Sequence, residues 1–486
     1  MGRIEKIHNL LSGKDISCRE LTTEYLDAVK RDNSELLSFI TITEEEALLQ
    51  ADKVDSRITR GEDISLIEGV PMSLKDNIST RGILTTCASK MLRDYVPVYD
   101  ATVWSRLKSQ GAVLLGKTNM DEFAMGSTGE NSCFGASSNP YDTDMVTGGS
   151  SSGSANAVAA NLSAYSLGTD TGGSVRQPAS FCGLVGLKPT FGAVSRYGLI
   201  AFASSLDQIG PMAMSVEDVA IVFDAVKGAD PLDSTCNREL CESTTAHMGD
   251  DIKGRKIGII RQFAESDSIS PQVHSAVQDA VKVFEKAGAQ VVILDMPEIS
   301  QAVPVYYVIA CAEASSNLAR YDGIRYGYRT QGDFQSIHEL ISKSRSEAFG
   351  SEVKRRILMG TDVLSSDKCN FYYNKARLLR QQISRAFESA FDLCDVIITP
   401  TAPTTAFIKN RTQNDATQMF MEDMCTVGVN LASLPAVSVP CGFSQGLPIG
   451  MQIIGKRYDE SLILNMAYKF QNSTDFIRPA DWGVKL

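Results

Sequence analysis

Short apolar runs separated by polar, helix-capable stretches recur along most of this chain. In the first sixty residues the apolar positions keep helical spacing. Leu21, Tyr25, Leu26 and Val29 share a face after a cap-type residue, Ser17, and a charged run follows from Glu44 to Arg60. The pattern predicts a helical segment over residues 1–60, packed on a core built from residues 61–486. From Ile67 the periodicity changes. GVPMSLKDNI reads as a strand, ATVWSRLKSQ as a helix and GAVLLGKT as another strand. KIGII (256–260), AQVVIL (289–294), DVIIT (395–399), AVSVP (436–440) and GMQIIG (450–455) read as further buried strands between helical stretches. Such alternation is the signature of an α/β layer fold.

One tract breaks the rhythm. Between Gly148 and Ser174, six of 27 residues are Gly and seven are Ser, a composition that flexible linkers share. Inside it, however, ANAVAANLSAYSL (155–167) is helix-capable, with Val158, Leu162 and Tyr165 spaced to share a face, and a linker has no reason to bury a helix. The polar stretch from Asp230 to Lys253 reads as a surface excursion, and no fixed-period repeat is visible.

Composition narrows the function classes. The chain has 486 residues, 43% of them hydrophobic and 22% charged, a globular balance. Size scaling predicts a folded surface of about 17,600 Å² and room for a large core. No stretch approaches the length of an apolar membrane span, and the start, MGRIEKIHNLLSGKD, lacks an apolar signal core, so a cytoplasmic location is expected. With 47 Lys+Arg against 58 Asp+Glu the net charge is −11, which argues against this chain being the main grip on a nucleic acid. Eleven cysteines form an odd set whose closest pair, Cys236 and Cys241, misses CxxC spacing; they read as buried, reduced thiols. Histidine is the most restrictive residue, because His8, His247, His274 and His338 are the four present.

Three motifs compete for an active site. GAVLLGKT (111–118) matches the GxxxxGK[ST] phosphate loop, but the segment before it is helical and its middle residues are apolar strand material, so a buried strand is the better reading. Gly149 to Gly153 match the GxSxG nucleophile elbow, with Ser151 central. That elbow requires an apolar strand before it and an acid and a histidine after it, and the preceding YDTDMVTG is polar. The third candidate needs no histidine. Lys75 ends an apolar run, and burial lowers a lysine pKa enough to make it a base. Ser174 follows Gly172 and Gly173, whose freedom lets successive amides point at one oxygen. Ser150 could relay a proton between the two, since a hydroxyl both donates and accepts. The bland alternative for each alone is an exposed lysine or an ordinary Gly/Ser turn.

KDN at 75–77, GGSSSGS at 148–154 and GTDTGGSVRQPA at 168–179 together resemble the amidase signature family, over nearly the whole chain. KTNMDEFAMGS (117–127), GAVSRYGLIAFASSLDQIGP (192–211), AEASSNLARYDGIRYGYR (312–329) and EVKRRILMGT (352–361) resemble, more narrowly, its A-subunit branch in aspartyl/glutamyl-tRNA amidotransferases. The resemblance implies a single large α/β domain over 61–486, a mixed twisted sheet covered by helices on both sides. It implies a Ser–cis-Ser–Lys triad, with Ser174 as nucleophile, Ser150 as bridge after a cis Gly149–Ser150 peptide, and Lys75 as base. Amides around Thr171, Gly172, Gly173 and Ser174 would hold the oxyanion.

The activity implied is hydrolysis of glutamine to supply ammonia for transamidating misacylated Glu-tRNA(Gln), Asp-tRNA(Asn) or both. The B and C subunits would be partners in a heterotrimer. No cofactor is implied in this chain, ATP and Mg being used by the B subunit. Free glutamine carries an α-carboxylate and an α-ammonium, so a selective pocket needs one fixed cation and one fixed anion. The resemblance assigns these to Arg356, with Arg355 as second choice, and Asp423, lined by Tyr307 and the Gly126–Ser127 turn. One departure from the branch is TVGVNLASLP (426–435), which has Gly428 where a proline is expected. A stand-alone amidase acting on small acyl amides shares the triad without the clamp, and a silent scaffold shares neither.

Overall fold

The computed structural model describes residues 2–237, 243–411, 420–476, 478 and 480–485. Eleven strands form one mixed sheet: β1 (Phe39–Ile42), β2 (Pro71–Lys75), β3 (Val113–Thr118), β4 (Tyr165–Asp170), β5 (Val185–Lys188), β6 (Gln208–Ala213), β7 (Lys256–Ile260), β8 (Gln290–Leu294), β9 (Val396–Pro400), β10 (Ala436–Ser444) and β11 (Leu447–Ile454). Their order is β1-β3-β2-β4-β6-β5-β10-β11-β9-β7-β8. β3, β2 and β4 run parallel at one side, as do β9, β7 and β8 at the other, and antiparallel pairs join the two groups.

Every residue of β2, β3, β4, β5, β6, β9 and β11 is buried, so helices and loops cover both faces of the central sheet. This is why those segments read as continuous apolar runs. The edge strands β1 and β8 are only partly buried. The folded surface is 18604 Å², close to the size-scaling expectation.

Ser17 caps the helix Cys18–Leu36 in a reciprocal box with Glu20, the hydroxyl accepting from the Glu20 amide and the carboxylate accepting from the Ser17 amide. The first sixty residues are not wholly helical. Phe39–Ile42 pairs antiparallel with β3 as the edge of the main sheet, between that helix and the helix Glu44–Thr59. Four residues are too few to impose a readable period beside two long helices.

The Gly/Ser-rich tract is ordered and buried throughout. Its helix is shorter than the pattern predicts, Ser152–Ala159, because Tyr165 already belongs to β4. GAVLLGKT supplies β3, which leaves no loop to cradle a phosphate. The run at 426–435 forms a short helix, Val427–Leu431, with Gly428 inside it.

Ten cysteines fall among the described residues, all unbridged. Eight are buried, Cys369 is half-buried and Cys133 is exposed, a correction to the expectation that all would be inside. Cys241 and part of the predicted surface excursion lie outside the described residues. Among the described residues no helix is long and apolar enough to cross a membrane.

Candidate active site

Neighbouring parallel strands end together, and β2 and β4 deliver Lys75 and Thr169 side by side at their carboxyl ends. Lys75 is 0% exposed. Its Nζ donates to Ser150 Oγ at 2.7 Å, to Ser151 Oγ at 2.9 Å and to Thr169 Oγ1 at 2.9 Å. The two serines lie just before the helix Ser152–Ala159, and the Gly149–Ser150 peptide is cis. The Ser151 amide donates to the Ser174 carbonyl at 3.2 Å, which brings the 148–154 and 168–179 strings into one layer. Ser174 is 8% exposed, and its hydroxyl has no hydrogen-bond partner among the described residues.

No carboxylate forms a salt bridge with Lys75 among the described residues. Burial pushes its ammonium down to about 7, against the opposing fields of Asp121, Asp170 and Asp207. Asp170 itself is neutralised by Arg176, whose Nε and Nη2 donate to its two oxygens at 3.0 and 3.1 Å. Burial would raise the Asp170 carboxyl, but that guanidinium, with Lys188 and the Asn430 amide, holds it down at about 2.

The loop after β4 is shaped by these acids. Asp170 accepts from the amides of Gly173 at 2.8 Å and Val175 at 3.2 Å, and Asp207 accepts from the Thr171 hydroxyl at 2.7 Å. The Gly173 amide, expected as an oxyanion donor, is therefore already taken. Thr171, Gly172 and Ser174 keep amides with no acceptor among the described residues. Only glycine fits at two of these positions. A Cβ at Gly172 would lie 2.5 Å from Tyr306 Cζ, and one at Gly173, where φ is +136°, would lie 2.4 Å from Thr426 Oγ1.

Beside this loop lies a charged pocket wall. Arg356, in the helix Ser351–Val363, turns inward and is 2% exposed, whereas the Arg355 side chain is about one-third exposed. The Arg356 Nε donates to Glu352 Oε1 at 2.6 Å, its guanidinium carbon lies 5.3 Å from the Tyr307 ring centre and 5.5 Å from that of Phe202, and its Nη2 is buried without a partner. Asp423 accepts from Tyr307 Oη and Ser127 Oγ, each at 2.7 Å. Burial pushes the Asp423 carboxyl up, countered by those two bonds and by Arg356. Gly126 has φ +156°, and a Cβ there would meet Asp121 at 2.5 Å.

Residues 20–464 match the sequence profile of the Amidase family. The chain belongs to the amidase family. It is 51% identical to the A subunit of glutamyl-tRNA(Gln) amidotransferase from Caldanaerobacter subterraneus subsp. tengcongensis, over 97% of this chain and 96% of that protein. It is 48% identical to the protein of the same name from Thermosynechococcus vestitus, over 98% of both. Among solved structures it is similar to the A subunit of glutamyl-tRNA(Gln) amidotransferase from Thermotoga maritima, with a TM-score of 0.81 and 38% identity over 96% of this chain and 95% of that one. It also aligns with the peptide amidase of Stenotrophomonas maltophilia, with a TM-score of 0.84 and 28% identity over 99% and 98% of the two chains. The single mixed α/β sheet is thus that of an amidase.

In this amidase the competing motifs have other uses. Lys117 of the phosphate-loop pattern is buried, donating to the Ile78 carbonyl at 2.7 Å and Thr85 Oγ1 at 2.8 Å. Ser151, the centre of the elbow pattern, donates to the Thr169 carbonyl at 3.1 Å and meets lysine, not histidine. Ser151 and Thr169 carry no sequence signal for contact with Lys75, because hydroxyl residues abound in both strings. Asp121 has a retrospective signal: it stands beside Glu122 and Gly126 in KTNMDEFAMGS, and its carboxylate accepts from the amides of Gly129 and Asn131 beside Gly149.

Proposed function

We propose that this chain is the glutamine-hydrolysing A subunit of an Asp/Glu-tRNA amidotransferase. The observation that carries the reading is the pairing of opposite charges across one tyrosine: Asp423 accepts from the Tyr307 hydroxyl while Arg356 lies over the Tyr307 ring. A pocket with one buried anion and one buried cation complements the α-ammonium and α-carboxylate of a free amino acid, and a simple acyl amide has no use for it. Full-length likeness to relatives that carry this amidotransferase name supports the same substrate.

Neutral Lys75 accepts the Ser150 proton while Ser150 accepts that of Ser174. Ser174 Oγ bonds to the side-chain carbonyl carbon of glutamine, and the developing oxyanion meets the amides of Thr171, Gly172 and Ser174. The carbon–nitrogen bond breaks as the proton returns along the same path to the departing ammonia. Water then attacks the glutamyl ester, giving glutamate and restoring Ser174. Ammonia passes to the B subunit, which uses ATP and Mg to activate misacylated Glu-tRNA(Gln) or Asp-tRNA(Asn). The C subunit completes the heterotrimer, and the reaction belongs to the cytoplasm. The acidic balance of this chain suits a part that leaves the tRNA to its partner.

The test is ammonia release from glutamine by the purified complex. Wild-type release persisting in Ser174→Ala removes the assignment. An unchanged KM for glutamine in both Arg356→Ala and Asp423→Ala points instead to a stand-alone amidase for small acyl amides.

A further inference from the structure

Two consecutive acidic residues reach the two halves of the site. The Asp121 amide donates to the Ser150 carbonyl at 3.2 Å, and its carboxylate lies so close to Gly149 that a Cβ there would be 2.0 Å from Asp121 Oδ2. Glu122, 4% exposed, points the other way. One of its oxygens accepts from the Ser89 hydroxyl, and the other accepts from the Gly350 amide at 2.8 Å. Gly350 is the cap residue of the helix Ser351–Val363, and that helix has no side-chain cap of its own. Glu122 therefore supplies from 228 residues away the anion that a helix amino end lacks. The fit is close, since a Cβ on Gly350 would lie 2.4 Å from Glu122 Oε2.

Arg356 sits six residues beyond Gly350 on this helix, about 9 Å along its axis. We infer that Glu122 is a positioning residue for substrate recognition: it pins the helix bearing Arg356 to the segment holding Ser150, and so sets the spacing between the carboxylate-binding cation and the nucleophile. The Glu352 side chain, two residues beyond Gly350, extends the chain of contacts by accepting from Arg356 Nε. Asp121 and Glu122 thus join triad and pocket through one peptide bond. The inference rests on the reading of Arg356 as the ligand of the glutamine α-carboxylate.

The experiment compares Glu122→Ala, Glu122→Gln, Gly350→Ala and Arg356→Ala in the assembled complex, with two substrates. Glutamine reports the clamp, and p-nitrophenyl acetate, which has no α-carboxylate, reports acylation of Ser174 alone. Glu122→Ala and Gly350→Ala, which attack one contact from opposite sides, are expected to raise the KM for glutamine roughly tenfold, with kcat and the ester rate within about twofold of wild type. Glu122→Gln keeps an oxygen for the Gly350 amide and is expected to restore most of the affinity. A raised KM in Arg356→Ala with no change in Glu122→Ala and Gly350→Ala overturns the positioning role alone. An unchanged KM in Arg356→Ala overturns the clamp on which it rests. Equal losses with both substrates in the Glu122 and Gly350 variants also overturn it, because Glu122 would then support the triad or the fold at large.

Discussion

Lys75 and Ser150 meet at 2.7 Å, nitrogen to oxygen, with both side chains sealed from solvent. A buried lysine whose nearest partners are hydroxyls is a base in waiting, since burial disfavours its charge and no salt bridge restores it. Chemistry that fits this contact is proton transfer to and from a serine.

The contact sets a pH dependence. Lys75 accepts a proton only when neutral, and burial places it at about 7, so kcat/KM for glutamine is expected to rise through that pH and level off above it. Asp121 favours the charged form, so Asp121→Asn should move the rising limb to lower pH. A pH–rate profile flat into the carboxylate range would rule out lysine as the base.

The three serines around this lysine differ in what they are expected to do. Ser174→Ala should lower ammonia release by about three orders of magnitude or more and abolish labelling by a serine-directed acylating probe. Ser151→Ala removes one of several hydroxyl partners of Lys75, so labelling should persist with a rate reduced by about tenfold, the worth of one hydrogen bond. Mass spectrometry of the labelled peptide distinguishes the two residues directly.

Arg356 should not tolerate lysine. Its planar head bonds Glu352 through Nε while Nη2 stays unpartnered, an arrangement a single ammonium cannot reproduce. Arg356→Lys and Asp423→Asn are each expected to raise the KM for glutamine by about ten- to a hundredfold with a smaller effect on kcat. Initial-rate kinetics with glutamine and with a simple ester separate this from a general loss of activity.

Asp170 and Arg176 bear on stability rather than chemistry. Both are fully buried and bidentate, so Asp170→Ala leaves an uncompensated guanidinium and should cost about 3–5 kcal/mol in denaturant unfolding. The Asp170 carboxyl is held at about 2 against an ordinary 3.8. Its contribution is therefore complete above the ordinary value and is lost as pH falls from there through about 2. The variant should flatten that part of the stability profile, and an unchanged acid limb would contradict the assignment.

Much of the fold was legible because its central strands are buried on both faces and so appear as unbroken apolar runs, as in KIGII and AVSVP. β1 was not, since Phe39–Ile42 is short, half-covered and flanked by stronger helical signals. The helix within the Gly/Ser tract was overextended because Tyr165 satisfies both helical spacing and strand burial.

The sequence by itself determined which residues could react: a lysine at the end of an apolar run, serines beside glycines, and too few histidines for a rival mechanism. Those follow from residue type and local backbone freedom, which are properties of short strings. The tertiary structure decided which partners each group has. Ser151 and Thr169 share Lys75 with Ser150, Asp170 takes the Gly173 amide, Arg356 faces in while Arg355 faces out, and Glu122 reaches Gly350. These choices depend on contacts between segments far apart in the chain, where burial and a few ångströms set the charge of each group, and no local pattern encodes that distance.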